Sequence, residues 1–465
     1  MLVCRSLSIL LAAAQFAGVA GAEERTVDPR PFGFDLAPGA LRAGKGEIVT
    51  TSDAAGQPAM GRIHARIGEG AVILLPDGQL VARPAGQFAP SDRPFQPLDK
   101  DALKARLLEE FPGFKVAHTG HYVYVYDSSE EFALATSRIL ETMLSDKTGL
   151  KAFAENQKLT VHEPATLLVA VMFRTDEEFQ RYRRMPDGVV AYYHTLSNRV
   201  FMYEQAANGG ARADLALQQS IATIAHEGAH QILHNIGVQQ RLSLWPMWLS
   251  EGLAEYCAPT STDARLRWKG VGVVNDMRMF ELEQYIKSNA AAPPSGELID
   301  HTVLAARLTS TGYATAWSVV HYLAKNKRAE FAAYLREVAA LGPFEGATEI
   351  TPPGIVRGNR ALFIKHFGDD FAGLETKLVL HLKKQPYADP FAGAPHLVAT
   401  LLAGDARRPQ RQANTFHSRE LAEKWLDDSL AKLPADQRAS ATPALRLFPN
   451  RAAAENYARQ WLAGK

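Results

Sequence analysis

An HExxH motif, His226-Glu227-Gly228-Ala229-His230, is the feature that most constrains how this chain can fold. Apolar residues recur around it at positions 221, 224, 225, 229, 232 and 233, a spacing typical of a helix. Residues four apart on a helix share one face, so the two imidazoles are expected side by side. Each can bind a zinc ion at ~2.0–2.1 Å, and Glu227 can reach a metal-bound water as general base. The alternative is two surface histidines on an amphipathic helix.

A catalytic zinc site needs three protein ligands and one open position, so two imidazoles do not complete it. A second predicted helix, Met247–Ala258, opens after Pro246 and carries Glu251, 21 residues after His230. A helix, a loop and a returning helix can place this carboxylate opposite the histidines, and we expect it as the third ligand. Glu255, one turn further on, can bond the free N–H of a ligating histidine. For either carboxylate the alternative is a solvated position on the helix.

His234 continues the histidine series at a spacing of four, but geometry argues against it as a ligand. His226 and His234 would lie ~12 Å apart along a helix axis, whereas two ligands of one zinc lie within ~4 Å. The sequence also departs from the pattern HExxHxxGxxH, because Leu233 and Ile236 occupy its glycine and third histidine positions.

The HExxH motif followed by Trp248-Leu249-Ser250-Glu251-Gly252-Leu253-Ala254 resembles the gluzincin clan of zinc metallopeptidases. Within that clan the chain is most similar to a bacterial peptidase-MA-like family of unknown function, over roughly residues 100–385. The resemblance implies an α+β fold with a thermolysin-like core, in which a small mixed sheet covers the HExxH helix and a helical half follows. It also implies a zinc site in which His226, His230 and Glu251 are the ligands. Glu227 would be the general base, and Glu255 would orient a ligating histidine.

Hydrolysis of an amide also needs a donor for the developing oxyanion. The resemblance to gluzincins, which carry a downstream tyrosine, implies Tyr313, with His321 as its rival; the alternatives are a packed tyrosine and a core histidine. No Gly-Ala-Met-Glu-Asn exopeptidase signature precedes the metal helix, since the equivalent stretch is 206–211, and this disfavours an aminopeptidase. The predicted strand Arg199–Tyr203 is expected to be a sheet edge that pairs with an extended peptide.

The N-terminus, residues 1–22, is typical of a signal peptide, with a membrane anchor as the alternative. Arg5 supplies positive charge, Leu7–Val19 is an apolar run too short to span a bilayer comfortably, and Ala20-Gly21-Ala22 is a cleavage site. After removal we expect no stable membrane span, and Cys257 would be the remaining cysteine. An exported protein without an internal disulfide fits a bacterial periplasm or the cell exterior.

Turn and linker signals divide the chain into five predicted segments. These are a signal peptide (1–22), a small β unit with a linker (23–98), the zinc peptidase domain (99–385), a linker (386–412) and a duplicated α/β or helical unit (413–465). The duplication rests on Phe416–Trp425, which matches Phe448–Tyr457 at an offset of 32 residues. This repeat resembles one half of the sporulation-related peptidoglycan-binding repeat, which implies contact with the cell wall; a plain structural appendage is the alternative.

The charge balance disfavours a nucleic-acid partner, because the net charge is +1 and no long run of one sign occurs. We therefore expect an exported metallopeptidase that hydrolyses peptide or protein substrates with zinc-activated water and Glu227 as general base. Two alternatives stay open. One is a catalytically idle binding scaffold, and the other is a zinc hydrolase of a non-peptide amide such as peptidoglycan.

Overall fold

A computed structural model describes residues 25–464, apart from 54, 146, 206–212, 261–266, 289–293, 348–349, 352–353 and 405–408. The predicted signal peptide and the stretch 206–211 lie outside the described residues. The fold is α+β, as the sequence indicates. The chain divides into two compact units: the first comprises Met1–Val273, Val303–Arg307 and Leu323–Gly368, and the second comprises Val274–Thr302, Leu308–Tyr322 and Asp369–Lys465.

An antiparallel sheet forms the N-terminal part of the first unit. Its strands are β1 (Thr26–Val27), β2 (Gly39–Ala43), β3 (Ile48–Ser52), β4 (Pro58–Ile67), β5 (Gly70–Leu74), β6 (Leu80–Arg83) and β7 (Ala89–Pro90). They run in the order β1-β2-β4-β3-β7, and β5 pairs with β4 and β6. The predicted boundary at 98/99 does not separate compact units, because this sheet and the metal helices belong to the same unit.

A second, mixed sheet follows in the first unit, with helices between its strands. Its elements are α1 (Lys100–Glu110), β8 (Lys115–His118), β9 (Tyr122–Tyr126), α2 (Glu130–Leu144), α3 (Leu150–Asn156), β10 (Leu168–Phe173), α4 (Asp176–Tyr182), β11 (Ala191–His194) and β12 (Arg199–Tyr203). The strand order is β11-β12-β10-β9-β8. β10 lies parallel to β9 and β12, whereas the two outer pairs are antiparallel.

The prediction that Arg199–Tyr203 forms a sheet edge is wrong. This strand, β12, lies between β10 and β11, and β11 is the edge. The physical reason is that β11 and β12 form a hairpin, in which β11 pairs antiparallel with β12 along its outer side. The outer strand at this end of the sheet is therefore Ala191–His194.

Two helices of the first unit carry the predicted zinc ligands, α5 (Ala213–Asn235) and α6 (Met247–Cys257). α5 is fixed to the mixed sheet by the Gln231 side-chain amide, which donates hydrogen bonds to the main-chain oxygens of Val169 at 3.0 Å and Asn198 at 2.7 Å. It also packs closely on α2, because a Cβ added at Gly228 would lie 2.2 Å from Leu140 Cδ2. The helix ends before Gly237, whose φ of 89° is left-handed, as predicted for a helix stop.

The rest of the chain is helical with two small sheets. The elements are α7 (Asp276–Ser288), α8 (Glu297–Leu304), α9 (Ser310–Asn326), α10 (Arg328–Ala339), β13 (Ile350–Thr351), β14 (Ile355–Val356), α11 (Arg357–Phe367), α12 (Phe371–Leu382), β15 (His396–Ala403), β16 (Gln410–Phe416), α13 (Arg419–Ala431), α14 (Ala435–Ser440), β17 (Thr442–Phe448) and α15 (Arg451–Leu462). Within the described residues, no helix combines the length and apolar character that a membrane crossing requires.

The predicted linker over 386–412 instead contains a central strand. β15 pairs antiparallel with β16 on one side and β17 on the other, and nearly all of its residues are buried. An apolar strand buried on both faces lacks the alternation that reveals a half-exposed one, and the nearby Pro and Gly residues favour a linker instead. The duplication over 413–465 corresponds to β16 with α13 and β17 with α15, a strand–helix unit used twice. This repeat belongs to the second unit, which already begins at Val274.

Candidate metal centre

The structure brings the three predicted metal ligands together in the first unit. His226 Nε2 lies 3.1 Å from Glu251 Oε2 and 3.2 Å from His230 Nε2. His230 Nε2 lies 3.5 Å from the same carboxylate oxygen. All three side chains are buried. Among the described residues they form the one group of three or more histidine, cysteine or acidic side chains with donor atoms close enough to share a metal ion.

This donor set fits a zinc ion. Two imidazole nitrogens and one carboxylate oxygen are a ligand set of catalytic zinc sites, which keep a fourth position open. Two atoms bound tetrahedrally at ~2.0–2.1 Å from one zinc lie about 3.4 Å from each other. The three separations in the triad, 3.1, 3.2 and 3.5 Å, lie on either side of that value.

Glu255 contacts the other nitrogen of the first histidine. Its Oε1 lies 3.2 Å from His226 Nδ1, and both side chains are buried. The residues are brought together because Glu251 and Glu255 stand one turn apart on α6 and thus face α5 with the same side. Burial lowers the pKa of His226, but Glu255 and Glu251 together outweigh it and raise that pKa well above the ordinary value. The arrangement orients the ring and keeps Nε2 towards the triad.

The Glu251 carboxyl is held in its ionised form. Burial raises its pKa, but His230 and His226 lower it more strongly, and the net pKa lies well below the usual range. An ionised carboxylate is the form in which this side chain binds a metal.

Glu227 follows the first histidine of the triad, and its two carboxylate oxygens differ in their hydrogen bonding. Its Oε2 accepts the main-chain N–H of Tyr193, on the edge strand β11, at 2.8 Å. Its Oε1 is buried and has no hydrogen-bond partner among the described residues. Burial is the largest influence and raises the pKa of Glu227, although both histidines oppose it. A side chain so placed can exchange a proton with a small molecule bound at the triad.

His234 is set apart from the triad, as the sequence geometry predicts. Its Nδ1 lies 3.2 Å from the main-chain oxygen of Gln239, and its ring stacks on Tyr193 with centroids 5.5 Å apart. Because a carbonyl oxygen only accepts, Nδ1 carries the hydrogen and Nε2 is the acceptor. Burial lowers the pKa of His234 to about 3, so the ring is neutral at physiological pH.

The two candidates for the oxyanion donor belong to the second unit. The Arg278 guanidinium lies 5.3 Å from the ring centre of Tyr313. His321 is fully buried, and its Nδ1 lies 3.0 Å from His381 Nε2, in agreement with the core-histidine alternative. The catalytic role of either residue stays a prediction.

Sequence reasoning missed the residues that hold the edge strand in place. Arg241 is buried and donates hydrogen bonds to main-chain oxygens of Thr195 at 2.9 Å, Leu196 at 2.8 Å and Gly78 at 2.7 Å. It therefore fixes the β11–β12 turn to the N-terminal sheet. A lone arginine in a loop gives no sequence signal for such a role, because its partners are main-chain atoms far away in the chain.

A comparison with protein families matches residues 220–345 to a family described as "Protein of unknown function (DUF1570)". The matched stretch includes the whole triad and Tyr313, and it covers little more than a quarter of the chain. No curated protein matches the chain. The description of the family names no activity, so a functional conclusion depends on the geometry of the site.

Proposed function

We propose that the protein is an exported zinc-dependent peptidase of the gluzincin type, with a thermolysin-like core. The spacing of the triad carries the proposal, because three buried donors of the kinds that zinc prefers lie 3.1, 3.2 and 3.5 Å apart. The mixed sheet beside α5 and the return of α6 onto that helix agree with the proposed core.

In this proposal His226, His230 and Glu251 hold the ion. A bound zinc ion supplies Lewis acidity, which acidifies water and polarises a carbonyl group. Glu227 accepts the proton from water through Oε1 and passes it to the leaving amine. The Tyr193 N–H holds Oε2 and so keeps this carboxylate oriented while the proton moves.

The position of Glu227 favours a peptide as the substrate. Because the Tyr193 N–H points to Glu227, the main chain at this position faces away from β12. Alternate residues of an antiparallel edge strand point their main-chain groups away from the sheet, so the main chain of Ala191 also faces away from β12. An extended peptide that paired with this edge would lie directly beside the general base.

The free Oε1 of Glu227 disfavours an idle scaffold. A buried carboxylate oxygen without a partner costs roughly 1–3 kcal/mol or more. Replacement by an uncharged side chain would relieve this cost in a protein that only binds. A site that uses the oxygen as a base has a reason to keep it.

The test is zinc content and peptide hydrolysis by the purified mature protein. We expect about one zinc per chain, as for other sites with three protein ligands, and cleavage of a quenched fluorescent peptide library that stops with chelator and returns with zinc. No metal in native mass spectra after zinc loading would overturn the proposal. Digestion of peptidoglycan without peptide cleavage would instead favour the non-peptide amide. For export, we expect a mature N-terminus at Glu23.

A further inference from the structure

A cleft lies against the triad in the first unit. It holds about 670 Å³ of empty space, part of it open to solvent, and His230 and Glu251 form part of its wall. Further lining residues come from the loop between α5 and α6, which contributes Leu242, Leu244 and Trp245, and from the start of α6, which contributes Met247. A group bound in this cleft would therefore touch residues that hold the metal.

The cleft has no counter-charge for a charged group. Among the described residues that line it, Glu251 is the one acidic side chain, and its carboxylate is engaged by both histidines. His234 also lines the cleft, and burial lowers its pKa to about 3, so it is neutral at physiological pH. A buried charge without a partner is disfavoured, so the cleft fits an uncharged group.

One wall of the cleft comes from the N-terminal segment. Phe32 lines the cleft although it stands almost 200 residues before His230 in the chain. Its ring packs edge-on against Phe344, with centroids 4.9 Å apart and an interplanar angle of 85°. The next residue, Gly33, has a φ of 87°, and a Cβ there would lie 3.2 Å from Leu196 in the β11–β12 turn. The segment is thus fitted closely against the site.

The loop between α5 and α6 is held in an unusual backbone conformation. Leu242 and Phe344 have φ angles of 69° and 61°, in the left-handed region that residues other than glycine rarely occupy. They are joined by a hydrogen bond from the Phe344 N–H to the Leu242 oxygen at 2.7 Å. The Leu244 N–H donates to the Glu345 oxygen, also at 2.7 Å. Such conformations persist where the surroundings enforce them, and they are frequent in binding sites.

We infer that this cleft binds one uncharged, apolar side chain of the substrate next to the scissile bond, and that Phe32 is a specificity-determining residue. The inference rests on the proposed peptidase function. It assigns the N-terminal segment a part in substrate selection, because Phe32 lies in the short turn between β1 and β2 and lines the cleft beside the triad. Varying the substrate residue on each side of the scissile bond in turn shows which of the two side chains enters the cleft.

The experiment compares Phe32→Ala with the matched control Phe88→Ala. Phe88, next to β7, is also a partly buried phenylalanine of the N-terminal part of the first unit, but it packs against a different cluster, Val49, Ile63, Ala71 and Ile73. The substrates are peptides that carry Phe, Ala, Lys or Glu at one position next to the scissile bond. For each peptide, kcat/KM is measured with the wild type and with both variants. The same peptides, labelled with fluorescein, are titrated with zinc-loaded Glu227→Gln protein, with and without Phe32→Ala, to measure binding without cleavage.

We expect the wild type to prefer Phe over Ala by about 10-fold or more, with Lys and Glu poorest. Phe32→Ala should remove most of this preference and keep the zinc content, whereas Phe88→Ala should keep both. If Phe32→Ala does not fold, Met247→Lys provides the second test, with Met277→Lys, a partly buried methionine in the second unit, as its control. Met247→Lys should shift the preference towards Glu.

The outcomes separate this inference from the proposed function. Hydrolysis with the same side-chain preference in Phe32→Ala as in the wild type would overturn the cleft assignment and leave the peptidase standing. A preference of the wild type for Lys or Glu would also overturn it. Selective binding that depends on Phe32, without hydrolysis by the wild type, would support the cleft and overturn the peptidase. Absence of both binding and hydrolysis would overturn both.

Discussion

His226 Nδ1 lies 3.2 Å from Glu255 Oε1, while Nε2 of the same ring faces Glu251 at 3.1 Å. A carboxylate on the distal nitrogen fixes the tautomer and orientation of a ligating histidine. We expect Glu255→Ala to weaken zinc binding about 10–100-fold, as measured by competition with a zinc-binding dye. Glu255→Gln should lose less, because its amide oxygen still accepts the N–H. Equal affinity in wild type and Glu255→Ala would contradict the orienting role.

Zinc binding by two variants can test whether Glu251 or His234 is the third ligand. We expect Glu251→Ala to weaken zinc binding strongly, because it removes a ligand atom from the triad. His234→Ala should stay within a few-fold of the wild type, because the His234 side chain engages Gln239 and Tyr193 instead. Zinc titration of both variants decides between them. Loss of affinity in His234→Ala with full affinity in Glu251→Ala would exclude the gluzincin-type site.

The role of Glu227 can be separated from metal binding. Glu227→Gln should keep its zinc, because Glu227 is not part of the triad, and its amide oxygen can still accept the Tyr193 N–H. Peptide hydrolysis should fall about 10²–10⁴-fold, the usual effect of removing a general base. Zinc content and steady-state kinetics on one preparation measure both. Undiminished turnover would exclude Glu227 as the base.

His64, a half-buried residue of β4, should make the first unit sensitive to acid. His64 Nε2 lies 2.9 Å from the main-chain oxygen of Arg241, and burial lowers the pKa of His64 to about 4. An unfolded histidine has a pKa of ~6.5, so the unfolded chain takes up this proton first as the pH falls. The stabilisation is therefore present above the unfolded pKa and is lost as the pH falls towards 4.

His64→Gln tests this pH dependence, because the glutamine amide can still donate to the Arg241 oxygen but does not titrate. Between pH 6.5 and 4, the free energy of unfolding of the metal-free variant should fall less steeply than that of the wild type. The difference in slope is at most about 1.4 kcal/mol per pH unit for one proton. Urea titrations across this range measure it. His118→Gln, at an exposed position on β8, is the control, and an equal slope in His64→Gln and wild type would contradict the prediction.

The local features of the site could be predicted from the sequence. The HExxH motif, the helical spacing around it, the stop at Gly237 and the second helix after Pro246 are all found in the structure. The neighbouring positions of His226 and His230, and the place of His234 outside the triad, follow from the rise of a helix and the reach of zinc ligands. Glu251 joins the triad because a loop returns α6 onto α5, as expected from the two predicted helices. Such features depend on residues within one or two elements, and the period of a helix makes their relative positions computable.

Other features of the fold and of the site were decided by the tertiary structure alone. The sequence identified both strands of the β11–β12 hairpin but not which of them lies at the edge, because sheet order depends on pairing between distant segments. It missed β15, because an apolar strand buried on both faces has no alternation to reveal it. It gave no sign that Phe32 lines the cleft beside the triad or that Arg241 binds the β11–β12 turn. Contacts of this kind join residues far apart in the chain, and only packing brings them together.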